Sequence, residues 1–374
     1  MSILITSPSS ITGAPDTSQL CGVLAQASTN GIPVVVASNK PKPHWFDGAF
    51  AGSQVQFKME VGRQNGNIIK TTAATWGLKP HDVLVLAASD DDMRMAKAGG
   101  AVLIAAQWSQ KQKICNLGIR VTSAGELATV LELNQRWGSG WVSVVKDDLY
   151  QVAALADLST RGKDYAATTF AKELTHTVKQ GGAKLNSLLA ITSRSLMTNG
   201  WDQAKALAWG IYPASSSAND DTDTLSDFGH RLRTTVSKFH FAERGQPLLI
   251  RHKVSAKRSR GDGGDRRDPS DQIRTLHLNP HYKGKLDGRH IILLDDCTTY
   301  GLSFGVAAAL LRAAGADYMT GIALGKFGHC IQYYDIEIKD TPFAPISNFE
   351  LRSVRGFSNE QNNLAIQGDL RDLI

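Results

Sequence analysis

Two adjacent acids, Asp295 and Asp296, follow an unbroken apolar run, Ile291 to Leu294, and precede a hydroxyl-rich turn containing Gly301 and Ser303. A short continuous apolar run is the pattern of a strand buried on both faces. The stretch after the turn, GVAAALLRAAGA, is made largely of strong helix formers. The segment HIILLDDCTTYGLS (290–303) therefore predicts a strand, a tight loop and a helix start. A helix start offers backbone N–H groups and a positive dipole end, which suit phosphate. The acids stand at the carboxyl end of the strand, where open α/β sheets bind ligands. Carboxylates accept hydrogen bonds from hydroxyls, so this pair beside a phosphate cradle points to a phosphorylated sugar.

Other groups with chemical potential are fewer. The basic stretch RHKVSAKRSRGDGGDRR (251–267) could meet nucleic acid, but a single basic loop fits a small anionic ligand equally well. His252, His277 and His281 lie near it, and none stands out as a general base. Asp90, Asp91 and Asp92 open a helical pattern, where acids complement the helix dipole. The cysteines, Cys21, Cys115, Cys297 and Cys330, are scattered without metal-ligand spacing, which fits a reduced compartment better than a disulfide framework. Cys297 reads as a packing residue. No apolar run approaches the ~18–20 residues of a membrane span. The start, MSILITSPSS, lacks the basic region of a secretory signal. A soluble cytoplasmic protein is expected.

The 374 residues, 42% hydrophobic with a net charge of +6, are enough for two domains with ordinary cores. Strands are expected at 2–7, 32–38, HDVLVLAAS and AVLIAAQWS, with helices at 17–30, 67–77 and DDMRMAKAGGA between them. That alternation implies a parallel sheet covered on both faces. Residues 118–200 read as helical, in SAGELATVLELNQRW, DDLYQVAALADLST and YAATTFAKELTHTVKQ, from three- and four-residue apolar spacing. A second alternating region begins near 205 with AWGIYPASSS, DTLSDFGHRLRTTVSKF, PLLIRH, HIILLDD, a helix over 304–314 and YMTGIALGKF. The stretches 215–223 and 255–270 read as mobile loops. LHLNPHY (276–282) is a candidate part of an acceptor pocket, and the tail 340–374 lacks strong periodicity.

The segment around Asp295 and Asp296 resembles the PRPP-binding (phosphoribosyl pyrophosphate-binding) loop of type I phosphoribosyltransferases: four apolar residues, two acids, a Thr-rich turn with Gly, then Ser. The resemblance implies that Asp295 and Asp296 take the ribose 2′- and 3′-hydroxyls. Thr298, Thr299, Tyr300, Gly301, Leu302 and Ser303 would wrap the 5′-phosphate. Tyr300 departs from the family, which more often has a small residue or Thr there. Thr299 stands where some purine-specific members have Asp, which argues weakly against that subclass. In the family an earlier strand ends in a pyrophosphate loop, and here Tyr212, Pro213, Ala214, Ser215 and Ser216 occupy that place. The basic insertion takes the place of the mobile hood, expected over 253–274. Arg251 and Lys253 would meet pyrophosphate, with Arg258 and Arg260 arriving on hood closure. Mg²⁺ would bridge pyrophosphate and ribose oxygens, with no metal site built from protein alone.

The N-terminal segment HDVLVLAASDDDMRMAKAGGA resembles the fourth motif of haloacid dehalogenase-like phosphatases, and IPVVVASNKP the second, with Ser38 as its phosphate-binding hydroxyl. ILITSPSSIT stands at the first motif, but Ser7 and Ser9 replace its nucleophilic and acid–base aspartates. Ala88 replaces the first acid of the fourth motif, and Asp92 remains. The reaction needs a carboxylate nucleophile and carboxylate-bound Mg²⁺. The resemblance therefore implies the fold without the activity.

The organisation expected is α/β: a degenerate phosphatase-like domain over 1–135, a helical connector over 136–200 and a type I phosphoribosyltransferase domain over 201–374. The expected function is Mg²⁺-dependent transfer of phosphoribosyl from PRPP to an unidentified nucleobase-like or small-molecule acceptor. A non-catalytic PRPP-sensing regulator is the alternative, and an active phosphatase a weaker one. The pairing of domains resembles bacterial proteins of stress- or tellurite-associated gene sets. Small-molecule substrates and a second copy in a homodimer are expected as partners, and neither a membrane nor nucleic acid is.

Overall fold

The computed structural model describes residues 1–138, 140–182, 184–238, 242–255, 267–357 and 359–374. Its first half forms a six-stranded, all-parallel sheet. The strands are β1 (Ile3–Thr6), β2 (Val34–Ser38), β3 (Gln56–Met59), β4 (Val83–Ala87), β5 (Val102–Ala106) and β6 (Ile119–Val121), in the order β3-β2-β1-β4-β5-β6. β1, β2, β4 and β5 are buried at every position, as their unbroken apolar runs require. The associated helices are α1 (Pro8–Thr12), α2 (Thr17–Thr29), α3 (Trp45–Ala49), α4 (Asn67–Thr75), α5 (Asp90–Gly99), α6 (Gln112–Cys115) and α7 (Ala124–Arg136). The sequence reading missed β3 and β6. β3 is a partly exposed edge strand and β6 has only three residues.

The rest of the chain adds strands β7 (Ser143–Lys146), β8 (Tyr150–Ala154), β9 (Leu207–Ile211), β10 (Leu249–Arg251), β11 (Leu276–Leu278), β12 (His290–Thr298), β13 (Tyr318–Lys326), β14 (Gln332–Ile338), β15 (Phe349–Gly356) and β16 (Asn359–Asn362). Its helices are α8 (Tyr165–Gln180), α9 (Leu185–Thr198), α10 (Thr224–Thr235), α11 (Ser270–Ile273), α12 (Leu302–Ala313) and α13 (Leu364–Leu373). A mixed second sheet runs β16-β7-β8-β13-β12-β9. β8, β13, β12 and β9 are mutually parallel; at one edge β7 pairs antiparallel with β8, and β16 antiparallel with β7. β10 with β11, and β14 with β15, form separate antiparallel pairs.

One expectation is corrected here. DDLYQVAALADLST is not a helix: Tyr150–Ala154 form β8, fully buried and paired with β13 from Tyr150↔Met319 to Ala154↔Ala323. The helical stretch that does separate the sheets, α8 and α9, packs with α7 and α10 into one hydrophobic core. That core holds Leu86 and Ile104 of the first sheet together with Trp209, Ile292 and Leu294 of the second. Burial of this continuous apolar layer is what binds the halves.

Polar ties reinforce the seam. Gly118 N donates to Thr234 Oγ1 at 2.9 Å, and Arg231 Nε donates to the Gly118 carbonyl at 3.1 Å. Arg194 pairs with Asp82. α10 is thus tied to the chain just before β6 through Gly118, and it packs directly on β9 and β12, the strands that carry the candidate site. Among the described residues, no helix is long and apolar enough to cross a membrane.

Candidate functional site

β12 ends in the two acids. It lies between β13 and β9 in the sheet interior, with Leu294 opposite Ile211 and Asp295 opposite Ala323. Asp295 is buried and Asp296 half-buried. The Asp296 amide donates to Asp295 Oδ1 at 2.8 Å, which folds the first carboxylate back over the strand end. Burial first, and the neighbouring Asp296 carboxylate second, hold the Asp295 carboxyl well above the usual carboxylate range. The Ser303 hydroxyl, from the start of α12, is hydrogen-bonded to Asp295 and opposes that rise. Loop and acids are therefore one connected unit.

The turn between them is fixed by Thr298 and Gly301. Thr298 is buried, and its Oγ1 accepts the Gly301 amide at 3.0 Å. Gly301 sits at φ 76° and caps α12. A Cβ there would stand 2.5 Å from Ile331 Cγ2, so both conformation and space demand glycine. The amides of Leu302 and Ser303 belong to the first helical turn, where N–H groups have no intrahelical acceptor. Thr299 and Tyr300 are half-buried, and the Tyr300 carbonyl accepts the Gln332 amide at 2.9 Å. Burial pushes the Cys297 thiol up, so it stays protonated, consistent with a packing residue.

The turn after β9 lies beside the acids, because the Tyr212 amide donates to the Leu294 carbonyl at 2.7 Å. Ala214 and Ser216 are exposed and Ser215 is half-buried. Arg251, expected to meet pyrophosphate, is only 4% exposed. Its guanidinium donates to the carbonyls of Ala214 (2.7 Å) and Pro213 (3.2 Å), to Thr275 Oγ1 (2.8 Å) and to Gln272 Oε1 (3.0 Å). With those donors engaged, Arg251 shapes the 213–214 turn and is not presented to an anion. The Ser255 amide also donates to the Ser215 carbonyl at 3.0 Å, which ties the start of the insertion to the same turn.

Lys253 is exposed beside His252. Arg258 and Arg260 lie outside the described residues, as does most of the expected hood. The Arg267 guanidinium stands 5.1 Å from the Tyr300 ring centroid, a cation–π contact with the 298–303 turn. Tyr300 thus touches Arg267, a contact the sequence reading missed. LHLNPHY turns toward the 246–248 segment: Tyr282 Oη donates to the Gln246 carbonyl at 2.6 Å and Asn279 Nδ2 to the Pro247 carbonyl at 3.0 Å. His277 is buried with Nδ1 2.8 Å from the Leu278 carbonyl.

No protein-family model and no curated protein matches this chain.

The N-terminal acids form a second polar cluster. Asp92 is completely buried, and its Oδ2 receives the amides of Ala88 (3.1 Å) and Ser89 (3.0 Å) and the Ser89 hydroxyl (2.7 Å). The hydroxyls of Ser7 and Ser10 stand 3.1 and 3.2 Å from the same oxygen. Oδ1 forms an ion pair with Arg63 Nη1 at 2.6 Å, both side chains buried. Ser9 Oγ lies 3.0 Å from Ser7 Oγ, and Ser38 Oγ accepts the Lys40 amide. A guanidinium therefore balances the buried Asp92 charge from the Oδ1 side. Arg63 was invisible from sequence because it lies in a short turn before α4 with no motif around it. Among the described residues, no group of three or more His, Cys, Asp or Glu side chains is placed to hold a metal ion.

Proposed function

We propose that the chain transfers a phosphoribosyl group from PRPP to a small acceptor, with release of pyrophosphate. The observation that carries the reading is the single unit formed by Asp295, Asp296 and the Gly301 turn at the end of β12. The carboxylates supply acceptors for a ribose diol. The turn and the first amides of α12 supply donors and dipole for a terminal phosphate.

In this reading the reaction is a displacement at the anomeric carbon. The pyrophosphate oxygen takes the C–O bonding pair as it leaves, and the acceptor's lone pair forms the new bond. The residues act by holding the ribose and aligning donor with acceptor. The Arg251-braced turn at 213–216 sits next to the acids, where the leaving group would lie. Mg²⁺ carried on the oxygens of PRPP would, when bound, neutralise charge on the departing pyrophosphate. Burial and the Asp296 carboxylate make the charged form of Asp295 costly, and hydroxyl donors from a bound diol would offset that cost.

The phosphatase-like half serves as a scaffold in this reading. It holds α10 against β9 and β12, and Arg63 neutralises its remaining buried acid. The test is pyrophosphate release from PRPP and Mg²⁺ across a panel of nucleobases and small acids. Release that depends on one acceptor class supports transfer. Tight PRPP binding without turnover on any acceptor would instead favour a PRPP-sensing regulator.

A further inference from the structure

We infer that the acceptor carries a negatively charged group, received by a cleft on the β8–β13 side of the 298–303 loop. The word acceptor rests on the transferase reading; the anion site stands on its own observations. The cleft encloses about 830 Å³ and is lined by Asp157, Arg161, Lys163, Lys326 and Phe327, among others. That volume is ample for a small organic ligand.

Its position follows from the sheet. Lys326, the last residue of β13, lies directly opposite Thr298 in the register. The Phe327 amide donates to the Thr298 carbonyl at 2.8 Å. The next residue, Gly328, sits against Thr299 and donates its amide to Ser159 Oγ at 2.9 Å. The cleft and the phosphate loop therefore share a wall.

Its charge is one-sided. Arg161, Lys163 and Lys326 face one carboxylate, Asp157, a formal excess of two positive charges among these four. Lys163 Nζ stands 3.6 Å from Asp157 Oδ2. Lys326 is only 7% exposed and spends one of its three donors on the Gly328 carbonyl at 2.9 Å. Arg161 and Lys163 project from an exposed turn at the rim. A low-dielectric wall with excess positive charge concentrates anions. The wall is also braced: Gln367 of α13 accepts the Asp157 amide at 2.8 Å and donates to its carbonyl at 3.0 Å. The Phe327 ring supplies an apolar surface for the body of the ligand.

The test uses calorimetry on the full chain at low salt, with and without PRPP and Mg²⁺. Matched pairs serve as probes: orotate against uracil, nicotinate against nicotinamide, and O-phosphoserine against serine. The charged member of at least one pair is expected to bind about tenfold tighter, as charge-assisted contacts allow. The pair concerned distinguishes carboxylate from phosphate. Arg161→Gln with Lys163→Gln is expected to erase that preference while leaving PRPP affinity unchanged. Equal binding within every pair, no binding by any charged member, or a preference that survives the double substitution would overturn the inference. A charge preference that the substitutions erase, in a protein that fails to bind PRPP, would retain the anion site and discard the transferase reading.

Discussion

Arg63 Nη1 lies 2.6 Å from Asp92 Oδ1 in the interior of the N-terminal half, and neither side chain reaches solvent appreciably. A buried carboxylate of this kind is tolerated only when its charge is compensated. In this chain a fixed guanidinium supplies the compensation, together with the hydroxyls and amides that crowd Oδ2.

Arg63→Met is therefore expected to destabilise the protein by about 3–5 kcal/mol, the cost of leaving a buried charge unpaired. Combining it with Asp92→Leu should recover part of that loss, because the orphaned charge goes with its partner. Urea unfolding of the two variants checks this. A single substitution that costs less than 1 kcal/mol, on the order of a surface pair, would show that the ion pair does not hold the site together.

Gly301→Ala forces a side chain into a left-handed backbone position against Ile331 and the Gln332 carbonyl. The expected stability loss is about 1–3 kcal/mol, with a larger proportional loss of PRPP affinity, since the phosphate loop must shift. Thermal unfolding and calorimetry read the two effects separately. An alanine variant with unaltered PRPP binding would mean that the turn does not cradle the phosphate.

Asp202 gives a pH signature independent of the site. It is 1% exposed, and burial raises its carboxyl to about 6, against a partial offset from Lys238. The folded state thus holds the proton more tightly than the unfolded chain. The associated stability is fully present below the unfolded value near 4 and is lost as pH rises toward 6. Asp202→Asn mimics the protonated form. It should gain about 1–3 kcal/mol over the parent above pH 6 and little at pH 4. Unfolding at several pH values checks this, and a gain independent of pH would place the cause elsewhere.

How far the sequence revealed this molecule depended on whether a residue's role is local. β12 was legible because a buried strand writes itself as an apolar run, and the acids that end it follow at once. The helices in DDMRMAKAGGA and SAGELATVLELNQRW were legible from local pattern too, and the structure caps them with Ser89 and Ser123. β8 misled because YQVAA, flanked by Leu149, Leu155 and Leu158, also fits helical spacing. Its pairing with β13 decides the matter, and that partner is remote in sequence. Arg251 read as a ligand because a basic residue beside an anion loop suggests contact. Only the packed structure shows its donors turned onto the Pro213 and Ala214 carbonyls. β16, all polar as NEQN, carries no pattern that announces a sheet edge.

The transferase reading depends most directly on the acids at the end of β12. The decisive measurement is calorimetric titration of PRPP with Mg²⁺ into the parent and into Asp295→Asn with Asp296→Asn, with unfolding curves to confirm that the variant is folded. The reading expects PRPP binding in the parent and its loss in the folded variant. Equal affinity in both proteins would contradict it.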